Sequence, residues 1–231
     1  MITIEKTRVS GIEEAIRGMR NPMNSWKQSD SHELVGETEY QNDPYFLGDK
    51  DEELMLKLNA AGTADSKYRR MIVVWVDITA PLYWWKEFDT YKVGTVANSC
   101  STMHKLASRD LTLNDFSYEH LIKDDPVPDR CVSAAGALKV IIDIINQYRK
   151  MYQETHKKEY WWQMIQLLPS SYNQKRTVML NYEVLAKIFK ERRGHKLDEW
   201  KQFREWIEAL PYSQIMVFDI NDEVERCKNQ R

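Results

Sequence analysis

The run Met71-Ile-Val-Val-Trp-Val-Asp-Ile78 limits what this chain can become more than any other feature. It is dominated by β-branched residues, which lose rotamer freedom in a helix and fit a pleated surface. The run therefore predicts a buried strand. Its surroundings carry a different period. From Ser133 to about His156, residues Leu138, Ile141, Ile142, Ile145, Tyr148 and Tyr152 form one helical stripe, so a long amphipathic helix is expected there. Further helices are expected over 49–61, 81–91 and 158–168, from Asn181 to Arg193, and over 196–209. Strands placed among long helices indicate a compact α/β protein, and the pattern alone goes no further.

Local signals sharpen some boundaries. Residues 2–5 read as a short opening strand, and Ser10-Gly-Ile-Glu13 reads as a capping box for a helix ending at Arg20. Asp49 is the expected cap of the helix that Gly62 ends, with Glu52 and Glu53 in its first turn. Thr79-Ala-Pro81 looks like a helix start, because proline suits the first turn. Residues 21–48 have no period and read as a long loop. The stretch 92–130 is mixed and broken by Asp124-Asp-Pro-Val-Pro-Asp129. Residues 172–180 and 214–219 are expected strands. Neither a repeat nor a linker interrupts the chain, so 1–231 reads as one domain.

Composition excludes several classes of function. The formal charge is −2, from 33 basic and 35 acidic residues that are interleaved along the chain. A protein that lives on phosphate backbones shows a basic excess or stripe. The short clusters Lys67-Tyr-Arg-Arg70 and Lys190 to Lys196 do not make one, so nucleic acid is not an expected partner. Cys100, Cys131 and Cys227 have no metal-like spacing, and the five histidines do not pair, so no metal site is expected. With neither a leader nor a long apolar run, the expectation is a cytoplasmic protein without a membrane anchor. Glycine-rich phosphate loops and nucleophile elbows are absent.

Two ordered blocks are more specific. The first is strand 71–78 followed by Ala80-Pro81-Leu82, an aromatic helix, and then Lys92 to Ser101. The second is Leu167-Leu168-Pro169, then Val178, Asn181, Leu185, Phe189, Arg192, His195 and Glu199. Upstream lie Ser25-Trp26 and Asp51-Glu52-Glu53. In order and spacing these blocks resemble the flavin-dependent thymidylate synthases. The resemblance implies an α+β fold with a central, mostly antiparallel sheet flanked by long helices, and a homotetramer that holds FAD beside a pyrimidine nucleotide such as dUMP.

It also implies a set of site residues. Arg192 and Cys100 are the catalytic candidates. Cys100 stands where the family has its active-site serine, and as a thiolate it would attack a pyrimidine ring, given a nearby cation such as Lys92 or Arg192. The bland alternative is a small cysteine buried as a hydrophobe. Lys92, Asn181, His195 and Ser25 are the candidate cofactor contacts. Lys86, Glu87, Ser99, Ser101 and Arg192 are the candidate substrate contacts.

The departures are concentrated at the flavin. The family's Arg-His-Arg reads Thr90-Tyr91-Lys92, and its Arg-Gln reads Lys86-Glu87. An acid and an Arg around the serine become Asn98 and Thr102, and a phosphate-binding Arg becomes Ile165. Guanidinium forks grip diphosphates in a way that a lone lysine does not. The expectation is a divergent member that binds a pyrimidine nucleotide, with ordinary FAD-dependent methylation lost or altered. An active FAD-dependent synthase or C5-modifying enzyme, and a purely structural oligomer, are the alternatives. Trp84-Trp85 and Trp161-Trp162 are candidate stacking surfaces, with core packing as their simpler role.

Overall fold

A computed structural model describes residues 1–34, 45–124 and 132–217. The elements in order are β1 (Thr3–Ser10), α1 (Ile12–Arg20), β2 (His32–Glu33), β3 (Tyr45–Phe46) and α2 (Asp49–Ala61). Then come β4 (Val73–Pro81), α3 (Leu82–Phe88), β5 (Thr95–Ser99), α4 (Thr102–Lys105), α5 (Ala134–Thr155) and α6 (Lys158–Leu167). The series closes with β6 (Asn173–Asn181), α7 (Tyr182–Glu191) and α8 (Asp198–Glu208). Four strands form one sheet in the order β1-β4-β6-β5, and β2 pairs antiparallel with β3. Tyr182 donates to the Ile72 carbonyl at one end of the β4–β6 pair, and Leu82 donates to the Tyr172 carbonyl at the other, so these two strands run antiparallel. The fold is α+β, as expected.

The chain divides into two compact units, and β4 and β6 each contribute residues to both. The first comprises Met1–Thr3, Ile78–Thr90 and Asn98–Arg176. In it, α5 and α6 fold back on each other, and Tyr148 stacks on Tyr160 at 6.2 Å. Their core holds Leu106, Leu111, Phe116, Leu138, Ile142, Ile145 and Met164. Polar residues of α5 grip the segment before it. Asn146 both donates to and accepts from the Leu111 backbone, Gln153 donates to the Ala107 carbonyl, and Arg149 pairs with Asp110. Ser133 caps α5 through the Gly136 amide, and His156 ends it in the left-handed region. Trp84 and Trp85 are both fully buried, so this pair serves the core.

The second unit holds Ile4–Asp77, Tyr91–Ala97 and the described residues from Thr177 on. Val74 and Val76 are buried, whereas Trp75 between them is 38% exposed. The expected buried strand is thus buried on one face, the ordinary state of an antiparallel sheet covered on one side. Helix α7 buries Val184, Leu185 and Ile188, and α8 buries Trp200, Phe203 and Ile207.

Several expectations need correction. Ser10 does not cap α1. The turn into the helix is made at Gly11 with φ of +94°, where a Cβ would lie 2.3 Å from the Met71 carbonyl oxygen, so Ser10 remains in the strand. Gly48, not Asp49, is the N-cap of α2. Strand β4 continues through Pro81, so the aromatic helix begins at Leu82 and ends at Phe88. A strand, β5, lies in the stretch read as mixed. The loop over 21–48 contains two short 3-10 turns and the β2–β3 pair. Ser213–Ile215 is a 3-10 turn rather than a strand, and 218–219 fall outside the described residues, as do Cys131, Cys227 and 125–129. Within the basic cluster at 67–70, Arg69 is buried and paired with Glu183 at 2.7 Å.

Candidate functional site

In the second unit, α7 ends at Arg192, which leaves the helix with a non-helical backbone. The turn through Gly194, with φ of +67°, brings the chain into α8. There the Nδ1 atom of His195 accepts from the Leu197 amide at 3.2 Å. This U-turn places Trp200, eight residues on in sequence, beneath the Arg192 guanidinium. The guanidinium carbon lies 4.4 Å from the centre of the Trp200 ring and 5.4 Å from that of Tyr91. Nε of Arg192 donates to the Tyr91 hydroxyl at 2.9 Å. Tyr91 meets Trp200 edge-on at 6.2 Å, and His195 meets the same indole at 6.2 Å.

Such a bracket fixes the plane of a cation, since the ring faces attract it through their quadrupole. Burial pushes the Tyr91 phenol up, a hydrogen bond to Glu191 adds to this, and the Arg192 contact opposes it. Tyr91 is therefore a neutral hydroxyl at physiological pH. Arg192 and His195 are both half-buried. Arg192 is thus held in one plane by the Trp200 ring and the Tyr91 hydroxyl.

The other candidates of this unit have different local roles. The Oδ1 atom of Asn181 accepts from the Val184 amide at 3.1 Å and caps α7. Its Nδ2 lies 2.7 Å from where a Cβ on Gly94 would stand, so Gly94, with φ of +78°, lets the 91–97 segment close over this cap. Lys92 is exposed. Ser25 is buried and accepts weakly from Arg20, whose Nε binds Asp51 at 2.6 Å. Asp51 also accepts from the Ser29 and Ser31 hydroxyls at 2.7 Å and from the Asp30 and Ser31 amides. Burial raises the Asp51 pKa, but these hydrogen bonds and Arg20 outweigh it and hold the carboxyl below its ordinary value. Ser25 therefore belongs to a knot that ties residues 20–31 to α2.

Cys100, Ser99, Ser101, Lys86 and Glu87 belong to the first unit. Cys100 is exposed, which removes the bland alternative of a buried packing residue. Its amide donates to the Lys175 carbonyl and its carbonyl accepts from Gln174 Nε2, so β6 fixes its backbone. Nearby, burial raises the Tyr172 phenol, with the charge of Asp115 adding to this and Arg109 opposing it. Ser99 and Lys86 are exposed, and Ser101 and Glu87 are half-buried.

Sequence reasoning missed Arg176. Its guanidinium lies 4.2 Å above the Trp85 ring, donates from Nε to Gln174 Oε1 at 3.0 Å, and pairs with Asp89 at 2.7 Å. Nothing local marks this group, because Trp85 and Arg176 meet only through the pairing of distant strands. Among the described residues, no group of three or more His, Cys, Asp or Glu side chains is placed to hold a metal ion, and no helix is long and apolar enough to cross a membrane.

No family model matches this sequence, and no curated protein matches it. Solved structures do. Thymidylate synthase X from Helicobacter pylori, with FAD and dUMP, superposes with a TM-score of 0.64 at 15% identity, covering 95% of this chain and 97% of that one. The UMP/dUMP methylase PolB from Streptomyces cacaoi, bound with 5-Br UMP, superposes with a TM-score of 0.58 at 13% identity, covering 90% and 87%. The same methylase bound with 5-Br dUMP gives 0.59 at 14% identity. The chain has the fold of the flavin-dependent thymidylate synthases over nearly its whole length.

Proposed function

We propose that this protein binds a pyrimidine nucleotide of the dUMP or UMP kind, and that ordinary FAD-dependent methylation is lost or altered in it. One observation carries the reading: Arg192, on a shared fold, is held in plane by Trp200 and by the Tyr91 hydroxyl. A guanidinium held in one plane matches the geometry of a phosphate or of a uracil carbonyl edge. The two solved relatives carry dUMP or a brominated analogue of UMP, which supports the ligand class.

The residues at the flavin positions do not fit FAD. Thr90, just past the end of α3, donates its hydroxyl to the Glu87 carbonyl at 2.7 Å. Tyr91 is only 7% exposed and is engaged with Arg192. Lys92 alone of the three bears a positive charge, and the acids Glu87 and Asp89 stand just before it in sequence. A diphosphate would meet one flexible ammonium where the family offers two guanidinium forks. Cys100 stays the candidate nucleophile, and a homotetramer is the assembly expected from the resemblance.

Purified protein tests the proposal. The expected preparation is colourless, and dUMP or UMP at about 100 times Kd should raise its melting temperature by about 5–10 °C. Arg192→Ala should remove that shift. A yellow preparation with flavin absorbance would overturn the altered-cofactor reading and favour an active FAD-dependent enzyme. Indifference to both nucleotides would sink the ligand reading and favour a structural oligomer.

A further inference from the structure

We infer that Arg176, laid flat on the Trp85 ring, anchors a phosphoryl-binding site in the first unit, with the Asp89 carboxylate as its displaceable internal occupant. All three residues belong to that unit, so the site does not depend on Arg192 in the second.

The arginine is fixed on several sides. Its guanidinium carbon lies 4.2 Å from the centre of the Trp85 ring, and that side chain is buried. The indole is itself held, because its Nε1 donates to the Gln174 carbonyl at 2.9 Å. Nε of Arg176 donates to Gln174 Oε1 at 3.0 Å. The same side-chain amide donates from Nε2 to the Cys100 carbonyl at 2.8 Å, so it turns its oxygen to Arg176. The plane of the guanidinium is thus set in advance, which removes an ordering cost from binding. Through Gln174 the site is also tied to the backbone of the segment that carries the candidate substrate contacts Ser99 and Ser101.

The remaining edge of the guanidinium is where a ligand fits. Nη1 donates to Asp89 Oδ1 at 2.7 Å, and Nη2 has no partner among the described residues. Arg109, in the same unit, shows the closed alternative, in which both Nη atoms go to the two oxygens of Asp115. Arg176 instead divides its donors between two residues and leaves the Nη1–Nη2 fork half open. A phosphoryl group matches that fork with two parallel charge-assisted bonds.

Asp89 is a weak competitor for this place. Its side chain is 51% exposed and holds Arg176 through one oxygen. Ion pairs of this kind contribute little. Asp89 is also the C-cap of α3, where the helix dipole disfavours a negative charge. A phosphoryl dianion can therefore replace the carboxylate while the Trp85 and Gln174 contacts stay in place.

Calorimetric titration of the full chain with inorganic phosphate, UMP and uridine, at constant ionic strength, tests this. Phosphate should bind the wild type, and Arg176→Lys, which keeps a charge but not the fork, should weaken it by about tenfold or more. Asp89→Asn removes the competing charge at nearly constant shape and should tighten phosphate binding by about three- to tenfold. Such a gain cannot come from a loss of folding. Uridine should be indifferent to both substitutions, and Arg192→Ala should leave phosphate binding intact. A UMP affinity that falls with that of phosphate in Arg176→Lys assigns the phosphoryl group to a nucleotide, and one that does not assigns it to the free ion. A wild type that does not bind phosphate would overturn the inference, as would phosphate binding indifferent to Arg176→Lys or no tighter in Asp89→Asn. Phosphate binding lost in Arg192→Ala but kept in Arg176→Lys would overturn it too, and would leave the nucleotide reading standing.

Discussion

Two arginines of the second unit, Arg20 and Arg192, are held in opposite ways. Arg20 is 3% exposed and ends in a carboxylate that is itself bound by two hydroxyls and two amides. Arg192 is half-buried, lies flat on an indole, and gives its Nε to a phenol. The first arrangement satisfies a charge and closes a loop against a helix. The second orients a charge. Family resemblance alone groups Ser25, beside Arg20, with Arg192 as ligand contacts, yet their surroundings separate a structural tie from a candidate binding group.

The largest expected effect falls on the tie. Asp51→Ala strands a buried guanidinium and should cost about 3–5 kcal/mol of stability in denaturant unfolding. Arg192→Ala should cost only about 1 kcal/mol of stability and instead weaken dUMP binding by about 10–100-fold in calorimetry. Equal stability losses for the two variants would erase the distinction.

Acid offers a second way to break it. The native carboxyl of Asp51 titrates below its unfolded value of about 3.9, so its contribution is complete above that pH and is lost as pH falls through the folded value. Asp115, where burial is outweighed by hydrogen bonds from Arg109 and Thr112, adds to the same limb. Unfolding free energies measured from about pH 5 down to pH 2 should therefore fall, and more gently in Asp51→Asn than in wild type. Arg192→Ala should leave that limb unchanged. The smallest effect belongs to Tyr91→Phe, which keeps the ring and removes one hydroxyl. It should lower nucleotide affinity by about two- to tenfold and change stability by less than about 1 kcal/mol.

What the sequence reveals follows the range of the interactions involved. Helices α5 and α7 are readable because each signal is local: a capping side chain at Ser133 or Asn181, then a stripe at helical spacing. Strand β5 is not readable, because Thr95–Ser99 is mostly exposed and lacks the alternation that a buried face imposes. Ser10 misleads for a related reason, since its capping pattern is overridden by the backbone turn that only Gly11 makes without strain. At the site, Arg192 and His195 stand out through resemblance, but the role of Trp200 depends on the turn at Gly194. Arg176 depends on a strand pairing that no window of sequence contains.

Gly94 has a further consequence for how this chain can vary. Its missing side chain is the space into which the Asn181 amide reaches, so the cap of α7 and the segment carrying Tyr91 and Lys92 share one small volume. Positions 94 and 181 are thus bound into one choice, 87 residues apart in the sequence. A larger residue at 94 is disfavoured by its backbone angle and also displaces the cap, whereas a shorter cap such as serine at 181 relieves the second penalty only. Substitutions at the two positions should therefore be non-additive. Among any relatives of this chain, a glycine at the first position and an asparagine at the second should be kept or lost together.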